Sequence, residues 1–499
     1  MLSELSLNYG NLTYEASMKT KIEIVQSTPT ENQFKPFSHH MLVIDINASN
    51  YPFADLLKNK LKRLGKKISD LAKTSVTTEI ANGAMISWVV YNPDLSMFKI
   101  HTQIRKAFHA IAAENPTELS ISFLPDNISQ TWVDACTYVC LANSQPLPNL
   151  KKGAKDIALK NLRLMGVKKC DLSKTVALVN GNTLTRSLTI TPPNDLTPII
   201  YRAKIKQLAK QHKWVYKDFT MTQLKKMGAG AFVAVGQGSE PQDAAIVHLR
   251  YTAKNAKKTI ALVGKGICFD TGGHNLKPAK YMSGMHEDMN GSAVALGILQ
   301  AATESKLPVN IDCWLAIAQN HIGPKAYKQN DVVKALNGLT IEIVHTDAEG
   351  RMVLADTLTM ASRKKPQAII DFATLTGCMH VAMGDRYSGV VSNKPDLACM
   401  AVGAGAESGE RIAAFPYDED YEEDLESKIA DIKQCTLEGG PDHIHAARFL
   451  GRFVEFDTPW LHVDLSSSNR KGGLGAISSD VNGFGVNFGL TMLQGIIKK

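Results

Sequence analysis

Two short stretches of the chain hold side chains that could carry out chemistry, and each directly follows an apolar run. The apolar runs are residues 259–263 and 339–344, both typical of buried strands. The acidic side chains are Asp270, Asp288, Asp347 and Glu349, and the basic ones are Lys265, Lys277 and Arg351. Crowded carboxylates repel one another unless a cation lies between them. The pattern therefore indicates either a network of buried salt bridges or a site for metal cations.

The composition of the acidic set favours a metal site. Four carboxylates with no histidine or thiolate among them suit hard cations that prefer oxygen, and zinc also accepts carboxylates. Two divalent ions about 3.5–4 Å apart can clamp a water molecule and lower its pKa toward neutrality. Asp270 and Glu349 are candidates for bridging such a pair. Lys265 is a candidate ligand if a nearby dication holds it neutral, and its alternative is a salt bridge to the same aspartates.

The predicted strands determine where these side chains lie. Lys265 and Asp270 come just past the end of the strand predicted at 259–263. Ligands of open α/β sheets bind at the carboxyl ends of the strands. We therefore expect the site at that edge of a sheet.

The stretch from Asp347 to Arg351 has its own expected geometry. If the chain stays extended there, Asp347, Glu349 and Arg351 share one side, because side chains alternate along a strand. Lys277 and Arg351 are then the cations that face a substrate. One of them could stabilise an oxyanion that develops during hydrolysis of an acyl or phosphoryl bond.

These features indicate a dinuclear metal hydrolase, and the residues alone leave its substrate open. Phosphoesterases and aminopeptidases both use paired metals, and spacing does not separate them. The sequence has neither a dinucleotide-binding GxGxxG pattern nor a P-loop GK[ST], so we expect no nucleotide cofactor. The basic stretch 151–160 could contact nucleic acid, but it lacks the interleaved aromatic side chains that stack on bases. We expect it to be a solvated surface.

Length and composition predict an ordinary globular protein with two domains. The chain has 499 residues, of which 44% are hydrophobic and 21% are charged, and its net charge is +8. That length exceeds what one hydrophobic core normally supports. Alternating helices and strands predict a small N-terminal α/β domain over residues 1–150 and a catalytic domain over 186–499. A linker over 151–185 would hold a connecting helix at 154–164.

Local patterns predict the elements of the N-terminal domain. We expect strands at 38–47, 84–91 and 118–124 and helices at 53–64 and 99–113. The eight cysteines are scattered without a CxxC pair, which favours buried free thiols in a reducing compartment. The N-terminus lacks the order of a signal peptide, and no apolar run is long enough to span a membrane. We expect a soluble, cytoplasmic protein.

At the two charged stretches the chain resembles the leucyl aminopeptidase (cytosol aminopeptidase) family. The family's Asn-Thr-Asp-Ala-Glu-Gly-Arg signature corresponds to residues 345–351, and its Val-Gly-Lys-Gly-x-x-Phe-Asp-x-Gly-Gly block corresponds to residues 263–273. The similarity runs from about Arg186 to Asn487. Residues 470–485 are most similar to the bacterial peptidase B branch.

The resemblance implies a fold, an activity and a role for each charged residue. It implies a catalytic domain with a mixed, mostly parallel sheet flanked by helices, and a homohexamer that cleaves the first residue from peptides with a free N-terminus. It implies two divalent ions per subunit, zinc or manganese, with magnesium a further candidate at one site. One site would use Asp270, Asp347 and Glu349, and the other Lys265, Asp270, Asp288 and Glu349. Lys277 would polarise the scissile carbonyl, and Arg351 would hold a bicarbonate ion as general base.

The chain departs from the family pattern at a few positions. His345 replaces the asparagine of the signature, Met352 replaces a leucine, and Gln329-Asn330 stands where Pro-Gly is common. None of these positions belongs to the implied ligand set. The departures therefore bear on the shape of the pocket and leave the expected activity unchanged.

Overall fold

The computed structural model describes residues 20–153, 159–168 and 170–498. Within these residues the chain forms two large sheets with helices packed against them and a small three-stranded sheet. The elements up to residue 165 are the strands Lys21–Val25 (β1), His39–Asp45 (β2), Val76–Glu79 (β3), Met85–Tyr91 (β4), Glu118–Phe123 (β5) and Asn161–Met165 (β6) and the helices Ala54–Arg63 (α1), Met97–Ala112 (α2) and Gln130–Ala142 (α3).

The N-terminal sheet has the strand order β1-β6-β5-β2-β4-β3. All neighbouring strands are parallel except β3 and β4, which form an antiparallel pair. The three strands and two helices predicted here from local patterns are confirmed, with no end shifted by more than two residues. Parallel strands need crossover connections, and α2 supplies one between β4 and β5.

The prediction of a helix at 154–164 is wrong for residues 161–164. Residues 161–165 form β6, which lies between β1 and β5 in the N-terminal sheet. Residues 154–158 lie outside the described residues. The alternating Leu162 and Leu164 bury their side chains, as a strand requires, and the helical pattern expected there does not continue. The division at 150 stays a proposal, and strand β6 favours moving that boundary past Met165.

A long helix, Ser173–Thr189 (α4), leads into the second sheet. The strands that follow are Val215–Thr220 (β7), Ala245–Tyr251 (β8), Thr259–Asp270 (β9), Asn310–Asn320 (β10), Val332–Lys334 (β11), Thr340–Glu342 (β12), Ala368–Ala373 (β13), Ser388–Ser392 (β14), Ile412–Ala414 (β15), Ile432–Lys433 (β16) and Trp460–Asp464 (β17). The helices are Pro198–His212 (α5), Met221–Met227 (α6), Gly230–Gly236 (α7), Ala279–Met282 (α8), Asn290–Glu304 (α9), Glu349–Ser362 (α10), Gly377–Met383 (α11), Pro395–Ser408 (α12), Asp442–Gly451 (α13) and Val486–Lys498 (α14).

The second sheet has the order β15-β14-β17-β13-β9-β10-β8-β7. Helices cover both faces, so the strands are buried on both sides. In β9, Ile260 and Leu262 pack into the core that contains α9 and α14, while Ala261 and Val263 pack into the core that contains α10. The predicted fold class, a mixed and mostly parallel sheet flanked by helices with a smaller α/β unit before it, is confirmed.

Four neighbouring strands of this sheet, β17, β13, β9 and β10, run parallel to one another. Their carboxyl ends therefore meet at one edge, which is where the two charged stretches were expected to lie. Helix α9 packs tightly near that edge. A Cβ on Gly291 would lie 2.1 Å from the carbonyl oxygen of Phe372, so only glycine permits this approach.

Two further expectations concern thiols and membranes. The eight cysteines are free, five of them are buried, and Cys399 is exposed, so the expectation of buried thiols holds for most of them. Among the described helices, none combines the length and the apolar character that crossing a bilayer requires.

Candidate metal centre

The structure brings the predicted carboxylates and lysines together at the carboxyl edge of the second sheet. Lys265 lies within β9, Asp270 ends that strand, and Lys277 lies in the loop that follows. Asp288 is in a 3₁₀ turn, Met285–Met289, just before α9. The remaining two ligand candidates, Asp347 and Glu349, come from the loop and the first residue of α10.

The expected extended geometry after residue 344 is wrong. Strand β12 ends at Glu342, and helix α10 begins at Glu349. In a helix, residues two apart point in different directions. Glu349 and Arg351 therefore face different partners, and Arg351 does not share one side with the two carboxylates.

Lys265 forms the first of two ammonium centres. Its Nζ lies 2.9 Å from Asp288 Oδ1 and 3.1 Å from Glu349 Oε1, and it donates a 2.8 Å hydrogen bond to the carbonyl oxygen of Thr374. Burial alone would lower the pKa of Lys265, but the attraction of Asp288, Glu349 and Asp270 raises it above its ordinary value. Without a metal ion beside it, this lysine is a cation that bridges two carboxylates.

Lys277 forms the second ammonium centre. Its Nζ lies 3.0 Å from Asp270 Oδ2 and 2.8 Å from Asp347 Oδ1. Burial would lower its pKa too, and the attraction of Asp270 and Glu349 raises it. The Lys277 side chain is 15% exposed, compared with 4% for Lys265, so Lys277 lies on the more open side of the cluster.

Three carboxylates are close enough to share one cation. One oxygen from each of Asp270, Asp347 and Glu349 lies within 4.8 Å of the others. The fourth carboxylate, Asp288, joins them through Lys265. Two oxygens of the cluster, Asp288 Oδ2 and Glu349 Oε2, are buried without a hydrogen-bond partner. Buried carboxylate oxygens without partners are costly, and a bound cation would satisfy them.

The electrostatics of the cluster point the same way. Burial raises the pKa of Glu349 well above its ordinary value, and repulsion from Asp270 adds to the effect. Burial also raises the pKa of Asp288, to about 6, against the attraction of Lys265. Burial and Asp270 together raise the pKa of Asp347. Two lysines do not fully compensate four crowded carboxylates, so the residues present fit divalent cations.

Neighbouring polar groups hold the carboxylates in place, and sequence reasoning missed one of them. Asn320 donates from Nδ2 to Asp270 Oδ1 at 2.8 Å and to the carbonyl oxygen of Thr346 at 3.0 Å. The feature of the sequence that could have identified Asn320 is its position at the end of β10, the strand that pairs with β9. Thr374 donates from Oγ1 to Asp288 Oδ1 at 2.8 Å. The cluster is therefore oriented by a second layer of hydrogen bonds, as metal sites commonly are.

Arg351 lies apart from the carboxylate cluster. Its Nη2 donates to both carboxylate oxygens of Asp442, each at 2.8 Å, and its Nη1 donates to the carbonyl oxygen of Gln434 at 3.1 Å. Sequence reasoning missed Asp442, because it lies 91 residues downstream in the chain. Burial would lower the pKa of Arg351, and the attraction of Asp442 raises it above its ordinary value.

The substituted residue His345 has a local role. Its Nδ1 accepts a 3.2 Å hydrogen bond from the backbone N–H of Asp347. His345 and His286 lie beside the two charged stretches, which makes them further candidates for metal ligands. Among the residues described, the group that could share a cation consists of Asp270, Asp347 and Glu349 and includes neither histidine. His345 thus contributes to the shape of the loop that presents Asp347.

Comparison with known proteins shows which family the chain belongs to. Residues 183–489 match the model of the cytosol aminopeptidase family, catalytic domain. The chain is 43% identical over 296 residues to a probable cytosol aminopeptidase of Stutzerimonas stutzeri (strain A1501), a match that covers 58% of this chain and 59% of the relative. It is 41% identical over 324 residues to a probable cytosol aminopeptidase of Pseudomonas fluorescens (strain SBW25), covering 63% and 64%. The matched region thus spans about three fifths of these relatives.

Solved structures extend the similarity over almost the whole chain. The bottromycin maturation enzyme BotP in complex with Mn superposes with a TM-score of 0.80 at 25% identity, covering 92% of this chain and 100% of that one. A mutant of tomato leucine aminopeptidase superposes with a TM-score of 0.82 at 25% identity, covering 95% and 96%. On the match over residues 183–489, this chain belongs to the cytosol aminopeptidase family.

Proposed function

We propose that this protein is a metal-dependent aminopeptidase that removes the first residue from peptides with a free N-terminal amine. The observation that carries the proposal is the group formed by Asp270, Asp347 and Glu349, whose oxygens lie within 4.8 Å of one another in a chain of this family. The fold and the family membership together favour peptide bonds over phosphate esters as the substrate.

Two divalent ions fit the residues present. We propose that Asp270, Asp347 and Glu349 hold one ion, and that Lys265, Asp270, Asp288 and Glu349 hold the other. Zinc or manganese suits both sites, and magnesium is a further candidate at one. When bound, such a pair supplies an activated water molecule and a Lewis acid for the scissile carbonyl.

Lys277 and Arg351 lie outside the two proposed ligand sets. We propose that Lys277, on the more open side of the cluster, donates to the carbonyl oxygen as that oxygen gains negative charge. Lys265 belongs to the ligand set instead, and in the metal-free site it bridges Asp288 and Glu349. Arg351 would hold an anion able to accept a proton from the attacking water, and the family resemblance suggests bicarbonate for that role.

The proposal is tested by stripping the protein with a chelator and assaying it with each metal added back. Leucine amide with a free amine, its N-acetylated form and a simple phosphate ester are compared. We expect turnover only with divalent metal and only on the free-amine substrate. Equal cleavage of the acetylated amide would rule out an aminopeptidase, and hydrolysis of the phosphate ester alone would favour a phosphoesterase.

We further propose that the chain works in the cytoplasm as a homohexamer. This part of the proposal rests on membership of the family alone. Light scattering of the active protein is expected to give the mass of six chains. An active monomer would remove this part of the proposal.

A further inference from the structure

The guanidinium of Arg351 already binds an anion that belongs to the chain. Its Nη2 donates to the carboxylate of Asp442, whose two oxygens each lie 2.8 Å away. Nη1 donates to the carbonyl oxygen of Gln434 at 3.1 Å. The Arg351 side chain is 2% exposed. A planar anion from solution would therefore have to displace Asp442 to reach the same nitrogen.

The backbone before Asp442 is shaped to deliver its carboxylate to this place. Asp442 is the first residue of α13, and it follows Gly439 and Gly440, whose φ angles are 78° and 95°. Glycine adopts such angles without strain. The carbonyl oxygen of Gly440 lies 3.3 Å from Cys378 Sγ at the start of α11, which follows β13 at the same sheet edge. The turn is thus packed against the edge that carries the metal cluster.

Asp442 is also accessible from solvent. Its side chain is 27% exposed, so the carboxylate contacts Arg351 on one side and is open on the other. Arg351 follows Glu349 by two residues in the first turn of α10, so Asp442 contacts a residue that is close in the chain to a proposed metal ligand. A carboxylate held within the chain has a far higher effective concentration than a dissolved ion competing for the same guanidinium.

We propose that Asp442 is the resident anion of Arg351 and takes the place that bicarbonate would otherwise occupy. The inference rests on the proposed aminopeptidase function and refines it, because turnover then needs no added bicarbonate. There the Asp442 carboxylate would take the role proposed above for the anion on Arg351 and accept the proton of the attacking water. Bicarbonate and the Asp442 carboxylate are both planar, singly charged oxygen anions, so one replaces the other without changing the charge of the site.

The test compares the wild type with Asp442→Ala in buffer freed of carbon dioxide, with bicarbonate then added back. We expect wild-type turnover to change by less than about twofold, and that of Asp442→Ala to fall by about 10²- to 10⁴-fold, the usual contribution of a general base. Added bicarbonate or formate should restore much of the lost rate. A group with a purely structural role would not give rescue by a dissolved anion.

A second measurement does not depend on turnover. In metal-free protein, bicarbonate should raise the melting temperature of Asp442→Ala, because it binds the folded state at an unpaired buried guanidinium. It should leave that of the wild type unchanged. Asp396→Ala removes an exposed aspartate from the first turn of α12 and is the matched control, expected to show neither effect.

Each outcome decides the question. Strong activation or thermal stabilisation of the wild type by bicarbonate would show that the anion displaces Asp442, and the proposal would be wrong. It would be wrong too if Asp442→Ala kept full turnover without bicarbonate, or lost turnover with no anion rescue. If Asp442→Ala fails to fold, Asp442→Asn replaces it and is expected to show the same rescue. If no variant cleaves peptides, the aminopeptidase function fails, while the melting experiment still tests the anion site.

Discussion

Gly350 lies directly against the side chain of Lys265. A Cβ at Gly350 would lie 2.6 Å from Lys265 Cε and 2.7 Å from its Nζ. The lysine cannot retreat easily, because its Nζ is held by Asp288 at 2.9 Å and by the carbonyl oxygen of Thr374 at 2.8 Å. The glycine of the Asp-Ala-Glu-Gly-Arg stretch is therefore required by its neighbour, and its small size keeps Lys265 inside the cluster.

The first prediction concerns Gly350→Ala. The added methyl group should push the Lys265 ammonium away from Asp288 and Glu349 and weaken metal binding. We expect metal affinity and turnover to fall by about 10- to 100-fold, as for other changes next to metal ligands. Isothermal titration with Mn²⁺ and steady-state kinetics would measure both.

Gly403→Ala is the matched control for this substitution. Gly403 lies within α12, and a Cβ there would meet no atom within 4 Å. Alanine in a helix interior is favoured over glycine by about 0.5–1 kcal/mol, so this variant should be slightly more stable and fully active. Wild-type metal affinity in Gly350→Ala would show that Lys265 moves aside without consequence.

The second prediction concerns Asp347→Asn and Glu349→Gln. Each keeps the shape of the side chain and removes one anionic ligand. Because the pKa of both carboxyls is raised in the metal-free site, their charged forms cost stability there, and neutral amides should not lower the metal-free melting temperature. The rise in melting temperature on adding Mn²⁺ or Zn²⁺, together with bound metal and turnover, should be lost.

Asp94→Asn, an exposed aspartate of the N-terminal part, is the control and should behave as the wild type. Bound metal is measured by elemental analysis after gel filtration. Retention of full metal content in either Asp347→Asn or Glu349→Gln would show that the carboxylate is not a ligand.

The sequence predicted the site well where the chemistry is local. Lys265 and Asp270 belong to a single strand, which its run of apolar residues predicts. Neighbouring parallel strands have their carboxyl ends at the same edge of a sheet, where ligands bind. The sheet edge and four carboxylates could therefore be found before the structure was known. The similarity of residues 470–485 to peptidase B, in contrast, stays a prediction.

The failures come from contacts between distant segments. Nothing near Arg351 in the sequence points to Asp442, and only the placement of α13 beside α10 brings them together. The stretch from Asp347 to Arg351 follows a short strand, and the helix begins only at Glu349. So few residues show no clear helical periodicity, and the local sequence therefore did not indicate that the extended chain ends before them. Strand β6 is likewise set by its partners β1 and β5, which override local preference.

The third prediction concerns pH and Glu410, a partly buried residue outside the group of metal ligands. Its Oε2 accepts hydrogen bonds from the backbone N–H groups of Gly485 and Phe488 at 2.9 Å and 2.8 Å, at the start of α14. Burial raises the pKa of Glu410 to about 7 from an ordinary 4.5, against the effect of these donors. The folded protein therefore holds this proton more tightly than the unfolded chain does.

The sign of the effect follows from that difference. Below about pH 4.5 Glu410 is protonated in both the folded and the unfolded state and does not reduce the free energy of unfolding. Between pH 4.5 and 7 the carboxyl ionises first in the unfolded chain, so the free energy of unfolding falls. Above pH 7 the loss is complete. Glu410→Gln should lack this loss. Its free energy of unfolding relative to wild type should rise by on the order of 3 kcal/mol between pH 4.5 and pH 8.

Urea denaturation of metal-free protein at several pH values would measure the difference. Glu407→Gln, an exposed glutamate on the neighbouring helix α12, is the control and should show no change with pH. A constant difference between Glu410→Gln and wild type across this range would mean that the carboxyl titrates normally.

The last prediction separates the roles of Lys277 and Lys265. Each ammonium group contacts two carboxylates, so distances alone do not distinguish a ligand from a residue that faces the substrate. Exposure does distinguish them, because Lys277 is on the open side. Lys277→Met should therefore keep its bound metal and lose about 10²–10³ in kcat, the usual cost of removing one oxyanion donor. Lys265→Met should lose metal as well as turnover. If Lys277→Met instead lost its metal while Lys265→Met kept it, Lys277 would be the ligand and Lys265 the group that acts on the carbonyl.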